Sequence, residues 1–120
     1  MSPREWHIEF YRDQRGRAPV EDFIKSLDRQ TIAKTQRSIE LLEEYGDRLA
    51  MPMARRLVGY RFSELRIQTG GNNIRVFYFF RTGRRIILLH AFLKKDQQTP
   101  RRELDTAYRR LAEVIGETDE

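Results

Sequence analysis

Four stretches of the chain carry the residue pattern of β-strands. WHIEFYR (6–12) and SELRIQ (63–68) alternate apolar and polar residues, as half-buried strands do. IRVFYFF (74–80) is apolar on both faces except at one arginine. RIILLHAFL (85–93) is the most apolar run, which predicts a central strand covered on both faces. The last three stretches are separated by short glycine-containing turns, so they predict an antiparallel strand meander over about residues 63–93.

Two regions show the 3.6-residue periodicity of amphipathic helices. One begins at a proline, which suits the first position of a helix, and its two apolar stripes predict a helical hairpin over about residues 19–46. The other follows Thr99 and Pro100 and predicts a helix over about residues 100–115. The apolar stripe of this last helix includes Tyr108 at a core-facing position.

The segment between hairpin and meander, residues 49–62, is predicted to be a loop because Pro52 rules out a continuous helix. The resulting order of elements is βααβββα. At 120 residues, the chain is long enough for one modest core, so we expect a single domain over residues 1–120. The predicted class is α+β, with a mostly antiparallel twisted sheet and the helices packed on one side.

The residue types present argue against several classes of protein. The chain has no cysteine and two histidines that are far apart in sequence, so we expect no metal site and no cofactor. No apolar stretch approaches the roughly 20 residues that cross a bilayer, and the N-terminus lacks the layout of a signal peptide. We therefore expect a cytoplasmic protein with no membrane partner.

Positive charge is concentrated in one part of the chain. Residues 55–110 carry 14 Lys and Arg against 4 Asp and Glu, whereas residues 1–54 carry 9 against 10. The last ten residues carry none against 4. Such a basic region is the electrostatic footprint of a protein that binds a polyanion. The alternative is an ordinary basic surface in contact with solvent.

Strand parity indicates which basic residues can act together. Arg66 and Arg75 lie before and after one turn of the meander, and Lys94 closes the last strand. In an antiparallel sheet these three positions meet at one edge, provided that the register holds. Lys95 points to the other face or has already left the sheet. The alternative for each arginine is a structural role in an ion pair. For Arg66, the acidic partner could lie in the neighbourhood of Glu64.

Several other groups are candidates for contact with a ligand rather than for catalysis. We predict RNA contacts for five arginines, for which an ordinary solvated surface is the alternative: Arg55, Arg56, Arg61, Arg101 and Arg102. Arg101 and Arg102 place positive charge at the positive end of the helix dipole, which lowers the stability of the helix locally. This local loss of stability is consistent with an anionic partner. An imidazole titrates near neutral pH, so His90 is the usual candidate for proton transfer. Its place inside an apolar strand favours a buried structural role.

Several segments together resemble a known protein family. They are, in chain order, GRAPVEDFIKSL (16–27), ELR (64–66), IRVFYFF (74–80), LLHAFLKK (88–95) and TPRRELDTAYRR (99–110). In order and spacing they resemble the phage Gp49-like branch of the RelE/HigB toxin superfamily, over most of the chain. The resemblance implies a toxin of a type II toxin–antitoxin system with a RelE-like, microbial-ribonuclease-like fold. It also implies mRNA cleavage, usually on the translating ribosome, and a cognate antitoxin that is commonly a small helix-turn-helix protein.

By the same resemblance, four basic residues are the catalytic candidates: Arg66, Arg75, Lys94 and Lys95. Arginine offers planar, bidentate donors to phosphate and keeps its charge, which suits a clamp on the transition state. Lysine among other cations loses its proton more readily, which suits proton transfer. The general base and the general acid are not identified among these residues.

These features favour a metal-independent mRNA endoribonuclease in which the 2′-hydroxyl of the RNA attacks the neighbouring phosphate. The alternative is a non-catalytic RNA- or ribosome-binding protein of the same fold. A third hypothesis is a protein-binding module whose basic groove receives an acidic partner.

Overall fold

The computed structural model describes residues 5–118 of the chain, and a five-stranded sheet forms the centre of the fold. The strands are β1 (His7–Phe10), β2 (Ala54–Arg56), β3 (Ser63–Thr69), β4 (Asn72–Arg81) and β5 (Arg85–Leu93). The helices are α1 (Pro19–Lys25), α2 (Arg29–Tyr45) and α3 (Arg101–Thr118), with a 3-10 helix at Gly46–Arg48. The strand order is β1-β5-β4-β3-β2. The pairing of β1 with β5 is parallel and the other three pairings are antiparallel, which confirms the α+β class.

The helices cover both faces of the sheet, which corrects the prediction that they pack on one side. α1 and α2 cover the face that carries Ile74, Val76 and Tyr78. Ala107 and Leu111 of α3 lie on the opposite face. They pack against sheet residues Phe77, Phe79, Ile87, Leu89 and Phe92. Because β4 and β5 are apolar on both faces, each face needs a cover.

The segment predicted as a loop, residues 49–62, contains the short strand β2, which is a second correction. β2 pairs antiparallel with β3 and places Arg55 opposite Glu64. Pro52 lies in the turn before the strand, so it interrupts no pairing between strands. A three-residue strand is too short for alternation to be recognised in the sequence. β2 forms an outer edge of the sheet and brings its arginines beside β3.

A bulge in β5 changes which of its residues face α3. Phe77 pairs with His90, whereas the residue after Phe77 pairs with Leu88. Leu89 is therefore an extra residue in the strand, and Leu89 and His90 both lie on the α3 side. Alternation resumes after the bulge, so the end of β5 delivers Lys94 to the α3 side as well.

Candidate nucleic-acid interface

A groove of about 570 Å³ opens on the α3 side of the sheet, between β2, β3 and the loop that joins β5 to α3. Six charged side chains line it: Arg55, Arg56, Glu64, Arg66, Arg75 and Lys94. Five of these are cationic and one is a carboxylate, so the groove attracts anions. We call the surface formed by these six residues the basic groove.

The pairing of strands explains why distant residues meet in the basic groove. Gly70 and Gly71 form a two-residue turn, in which Gly70 adopts a left-handed φ of 51°. This turn places Arg66 directly opposite Arg75 on neighbouring strands. The backbone N–H of Lys94 donates to the Asn73 carbonyl at 2.7 Å and so extends the pairing of β4 with β5 beyond Leu93. The predicted meeting of Arg66, Arg75 and Lys94 is thus present in the structure.

Glu64 lies at the floor of the basic groove and is fully buried, at 0% exposure. Its carboxylate contacts three guanidinium groups. The nearest pairs of atoms are Arg55 Nη2 to Oε1 at 3.4 Å, Arg75 Nε to Oε2 at 3.5 Å and Arg66 Nε to Oε1 at 3.8 Å. Among the described residues no donor makes a hydrogen bond to either carboxylate oxygen, so these contacts are ionic.

The three arginines differ in how far they reach solvent. The Arg75 side chain is 9% exposed, and its burial lowers the pKa of its guanidinium although the charge of Glu64 raises it. The side chains of Arg66 and Arg55 are 30% and 50% exposed. Arg66 also directs Nη1 to the Met51 sulfur at 3.3 Å. A phosphate that enters the basic groove therefore meets Arg55 and Arg66 first, with Arg75 beneath them.

Lys94 is held at the other side of the basic groove by the loop that follows β5. Its Nζ donates to the carbonyl oxygens of Asp96 and Gln97, at 2.5 and 2.8 Å. An ammonium group has three donors, so one remains for a ligand. The two carbonyl contacts fix the position of this charge.

The other predicted site residues lie outside the basic groove, except Arg55 and Arg56. Lys95 is exposed and does not line it. Arg61 lines a neighbouring depression of about 530 Å³, which Arg56 shares. Arg101 and Arg102 are exposed on the first turn of α3, where they pair with acidic residues of the same helix. The predicted RNA contacts are thus spread over more than one surface.

His90 and Tyr108 also stand apart from the basic groove. The His90 ring lies between Glu103, whose Oε1 is 2.6 Å from Nε2, and Arg110, whose Nη1 is 3.3 Å from Nδ1. Its burial lowers the pKa of the imidazole. Tyr108, predicted to face the core, is 60% exposed, which corrects that prediction. The rest of the predicted stripe does face the sheet, because Ala107 and Leu111 are buried there and Leu104, Val114 and Ile115 pack beside them.

Glu64 is the residue of the site that the sequence pattern did not single out. Alternation placed it on the same face as Arg66, but a lone carboxylate in a strand is usually exposed. Its burial follows from its neighbours on the two adjoining strands, because Arg55 lies opposite it on β2 and Phe77 lies opposite it on β4, two residues after Arg75. The signal available in the sequence was one acidic residue, Glu64, that shares the meander with Arg66 and Arg75 and follows Arg55 within ten residues.

Within residues 5–118, no group of three or more His, Asp or Glu side chains lies close enough together to hold a metal ion. The helices in that range are too short or too polar to cross a membrane.

Comparison with known protein families identifies the family of this chain. The family model described as "Phage derived protein Gp49-like (DUF891)" matches residues 22–112, which is most of the chain. The matched range includes all six residues of the basic groove. A search of the curated proteins found no match to this chain.

Proposed function

Because the chain belongs to the phage-derived Gp49-like family, we propose that it is the toxin of a type II toxin–antitoxin system and an mRNA endoribonuclease. The proposed reaction is metal-independent. The 2′-oxygen of the RNA forms a bond to the adjacent phosphorus, and the bond from phosphorus to the 5′-oxygen breaks. The products are a 2′,3′-cyclic phosphate and a 5′-hydroxyl end. A base takes the proton of the 2′-hydroxyl, and an acid gives a proton to the leaving 5′-oxygen.

The observation that carries this proposal is the convergence of Arg55, Arg66, Arg75 and Lys94 in one groove. Fixed cations stabilise the extra negative charge that develops on phosphate in the transition state. Arg55 and Arg66 are partly exposed and can donate to two phosphate oxygens, while Arg75 adds charge from the floor. Lys94 is the candidate proton donor to the leaving oxygen. Lys95, at the exposed exit of the strand, is the second candidate for proton transfer.

One observation favours the alternative function, a non-catalytic RNA- or ribosome-binding protein. A general base must come within hydrogen-bond reach of the 2′-hydroxyl. The carboxylate that lines the basic groove belongs to Glu64, which is fully buried, and the His90 imidazole lies outside the groove. The alternative predicts RNA binding that weakens with salt and no cut ends.

The partners we propose are mRNA on the translating ribosome and a cognate antitoxin, a small helix-turn-helix protein. The arginines outside the basic groove, Arg61, Arg101 and Arg102, are proposed to contact RNA. A neighbouring reading frame that encodes a helix-turn-helix protein and relieves growth arrest would support the assignment of the antitoxin.

The proposed function is tested by expressing the protein and mapping 5′-hydroxyl ends in cellular mRNA. We expect Arg66→Ala and Lys94→Ala each to lower cleavage by about 10²–10³-fold, because each removes one donor from the developing charge. Lys25→Ala is the matched control, since Lys25 is an exposed lysine on α1, across the sheet from the basic groove. Cleavage that survives both groove substitutions would remove the basic groove as the active site. Salt-sensitive RNA binding by a wild-type protein that makes no cuts would establish the alternative.

A further inference from the structure

The buried carboxylate beneath the three arginines has no assigned role in the proposed reaction. We infer that Glu64 is a positioning residue: it holds Arg55, Arg66 and Arg75 together as one preformed receptor for phosphate. The inference rests on the proposed function, because it gives the basic groove its ligand. It concerns a residue that touches the arginines and not the RNA.

The three arginines need a counter-charge to stay together. They come from β2, β3 and β4, and Arg66 lies directly opposite Arg75. Like charges at directly opposite positions of a sheet repel. Arg55 and Arg66 are exposed enough to turn away into solvent, whereas Arg75 is enclosed. Glu64 contacts all three guanidinium groups within 4 Å, so its charge opposes their mutual repulsion.

Direct proton transfer by Glu64 does not fit its surroundings. Both carboxylate oxygens are buried, and the two more exposed arginines, Arg55 and Arg66, contact Oε1. A 2′-hydroxyl would have to displace these arginines to come within the roughly 2.6–3.2 Å that general-base catalysis needs. The same arginines are the groups that the phosphate requires. Glu64 therefore acts through them.

Removing the charge of Glu64 has opposite consequences for RNA binding and for turnover. The variant Glu64→Gln raises the net charge of the basic groove by one, which by itself strengthens attraction of the RNA backbone. The guanidinium groups, however, lose their common partner and their fixed arrangement. Preorganised donors stabilise a transition state because they need no rearrangement during the reaction. Turnover should then fall without any loss of affinity, which a merely weakened fold would not produce.

The experiment compares Glu64→Gln with Glu9→Gln. Glu9 pairs with Arg85 at 2.6 Å on the edge strand β1, so its replacement removes a carboxylate–arginine pair remote from the basic groove. We expect Glu64→Gln to lower kcat on the order of 100-fold, with KM equal to or below the wild-type value, and Glu9→Gln to leave both unchanged. The pH profile of kcat should keep its shape in Glu64→Gln.

A second readout uses the free protein and does not depend on cleavage. In the wild type, nuclear magnetic resonance relaxation should show restricted motion of the Nε–H bonds of Arg66 and Arg75, and in Glu64→Gln the Arg66 bond should become as mobile as that of an exposed arginine. If Glu64→Gln does not fold, the double variant Glu64→Gln, Arg75→Gln leaves no unpaired buried charge and should fold. In that variant too, the Arg66 Nε–H bond should be as mobile as that of an exposed arginine.

Distinct results would overturn the inference. Unchanged kcat together with restricted motion of the Arg66 Nε–H bond in Glu64→Gln would show that Glu64 does not position the arginines. Loss of the acidic limb of the pH profile in Glu64→Gln would identify Glu64 as the base and refute the positioning role. If the wild type cuts no RNA, the proposed function fails, but the relaxation measurement still decides the role of Glu64. Binding of a 2′-O-methyl oligoribonucleotide, which cannot be cleaved by this reaction, then replaces KM.

Discussion

His90 is the residue whose side chain best fits proton transfer by its chemistry, yet its neighbours make it structural. Glu103 and Arg110, both on α3, contact the two ring nitrogens, and the ring stacks on Phe92 with centroids 5.5 Å apart. Burial lowers the pKa of the imidazole, and the charge of Arg110 lowers it further, although the hydrogen bond to Glu103 raises it. The neutral ring therefore joins β5 to α3.

This shift makes the stability of the protein depend on pH. Because the pKa of His90 is lowered in the folded state, the unfolded chain binds the proton first as pH falls below about 6.5, the ordinary value. Stability is thus present above pH 6.5 and is lost as pH falls from there through the lower folded pKa. We expect the urea midpoint of the wild type to be lower at pH 5.5 than at pH 7.5, and the difference to shrink in His90→Gln.

His7→Gln is the control for this measurement, because His7 is exposed on β1. It should keep the wild-type difference between the two pH values. Asp13 and Asp28 do not contribute in this range. Hydrogen bonds from the backbone N–H groups of Arg17 and Thr31 lower their pKa values below an ordinary 3.8, so their effect is lost only at lower pH. An equal difference in His90→Gln and wild type would contradict the assignment.

The end of α2 depends on a glycine that no other residue can replace without strain. Gly46 has a left-handed φ of 51°, and a Cβ atom at this position would overlap the indole ring of Trp6. The backbone N–H of Trp6 donates to the Glu43 carbonyl, and its ring packs on Phe80 with centroids 5.1 Å apart. Gly46 thus ends the helix and lets the segment before β1 pack against it.

Gly46→Ala should therefore destabilise the protein by about 2–5 kcal/mol, as the sum of a left-handed alanine and a steric overlap. Gly16→Ala is the matched control, because Gly16 has a φ of 81° but nothing lies within 4 Å of a Cβ there. Gly16→Ala should lower the free energy of unfolding by only about 1–2 kcal/mol, because it strains the backbone without a steric overlap. Urea unfolding measures both, and equal losses would show that the Trp6 contact adds nothing.

Over the whole molecule, the basic residues of segment 55–110 fall into two groups, one that lines the basic groove and one that pairs with acidic residues. Five cationic side chains line the basic groove. Others are paired with acidic residues at the opposite end of β4 and β5, where Arg84 contacts Glu5 at 3.0 Å and Arg85 contacts Glu9 at 2.6 Å. The acidic partners come from the first residues of the chain. The net charge of the segment therefore exceeds the charge available to RNA.

This division sets the salt dependence of RNA binding. If Arg55, Arg66 and Lys94 each neutralise one phosphate, together they should contribute about −2 to the slope of log K against log salt for single-stranded RNA between about 50 and 200 mM, and contacts made by Arg61, Arg101 and Arg102 add to it. Arg55→Gln should move the slope toward zero by about 0.7, and Lys25→Gln should leave it unchanged. The measurement uses a 2′-O-methyl oligoribonucleotide. Equal slopes for Arg55→Gln and wild type would exclude a phosphate contact at Arg55.

Periodicity predicted the strands of the meander and the helices because each is long enough to show several repeats of its pattern. It did not predict β2, which has three residues, or the side of the sheet on which α3 packs. For the site, parity placed Glu64 and Arg66 on one face of β3 and Arg75 on the same side of β4. It did not predict that Glu64 is buried, because the burial of Glu64 depends on side chains that come from the neighbouring strands.

The alternation of residues along β3 and β4 was enough to determine which arginines share a face, since side chains in a strand point alternately to either side. It also determined that β5 is covered on both faces. The bulge at Leu89 and the pairing of β2 with β3 were decided by contacts between strands, which the residue pattern within one strand does not show. Those contacts place three guanidinium groups around one carboxylate. The sequence by itself determined which charged residues are present, but only the folded sheet encloses them. The desolvation of a side chain depends on its surroundings in space and not on its neighbours in sequence.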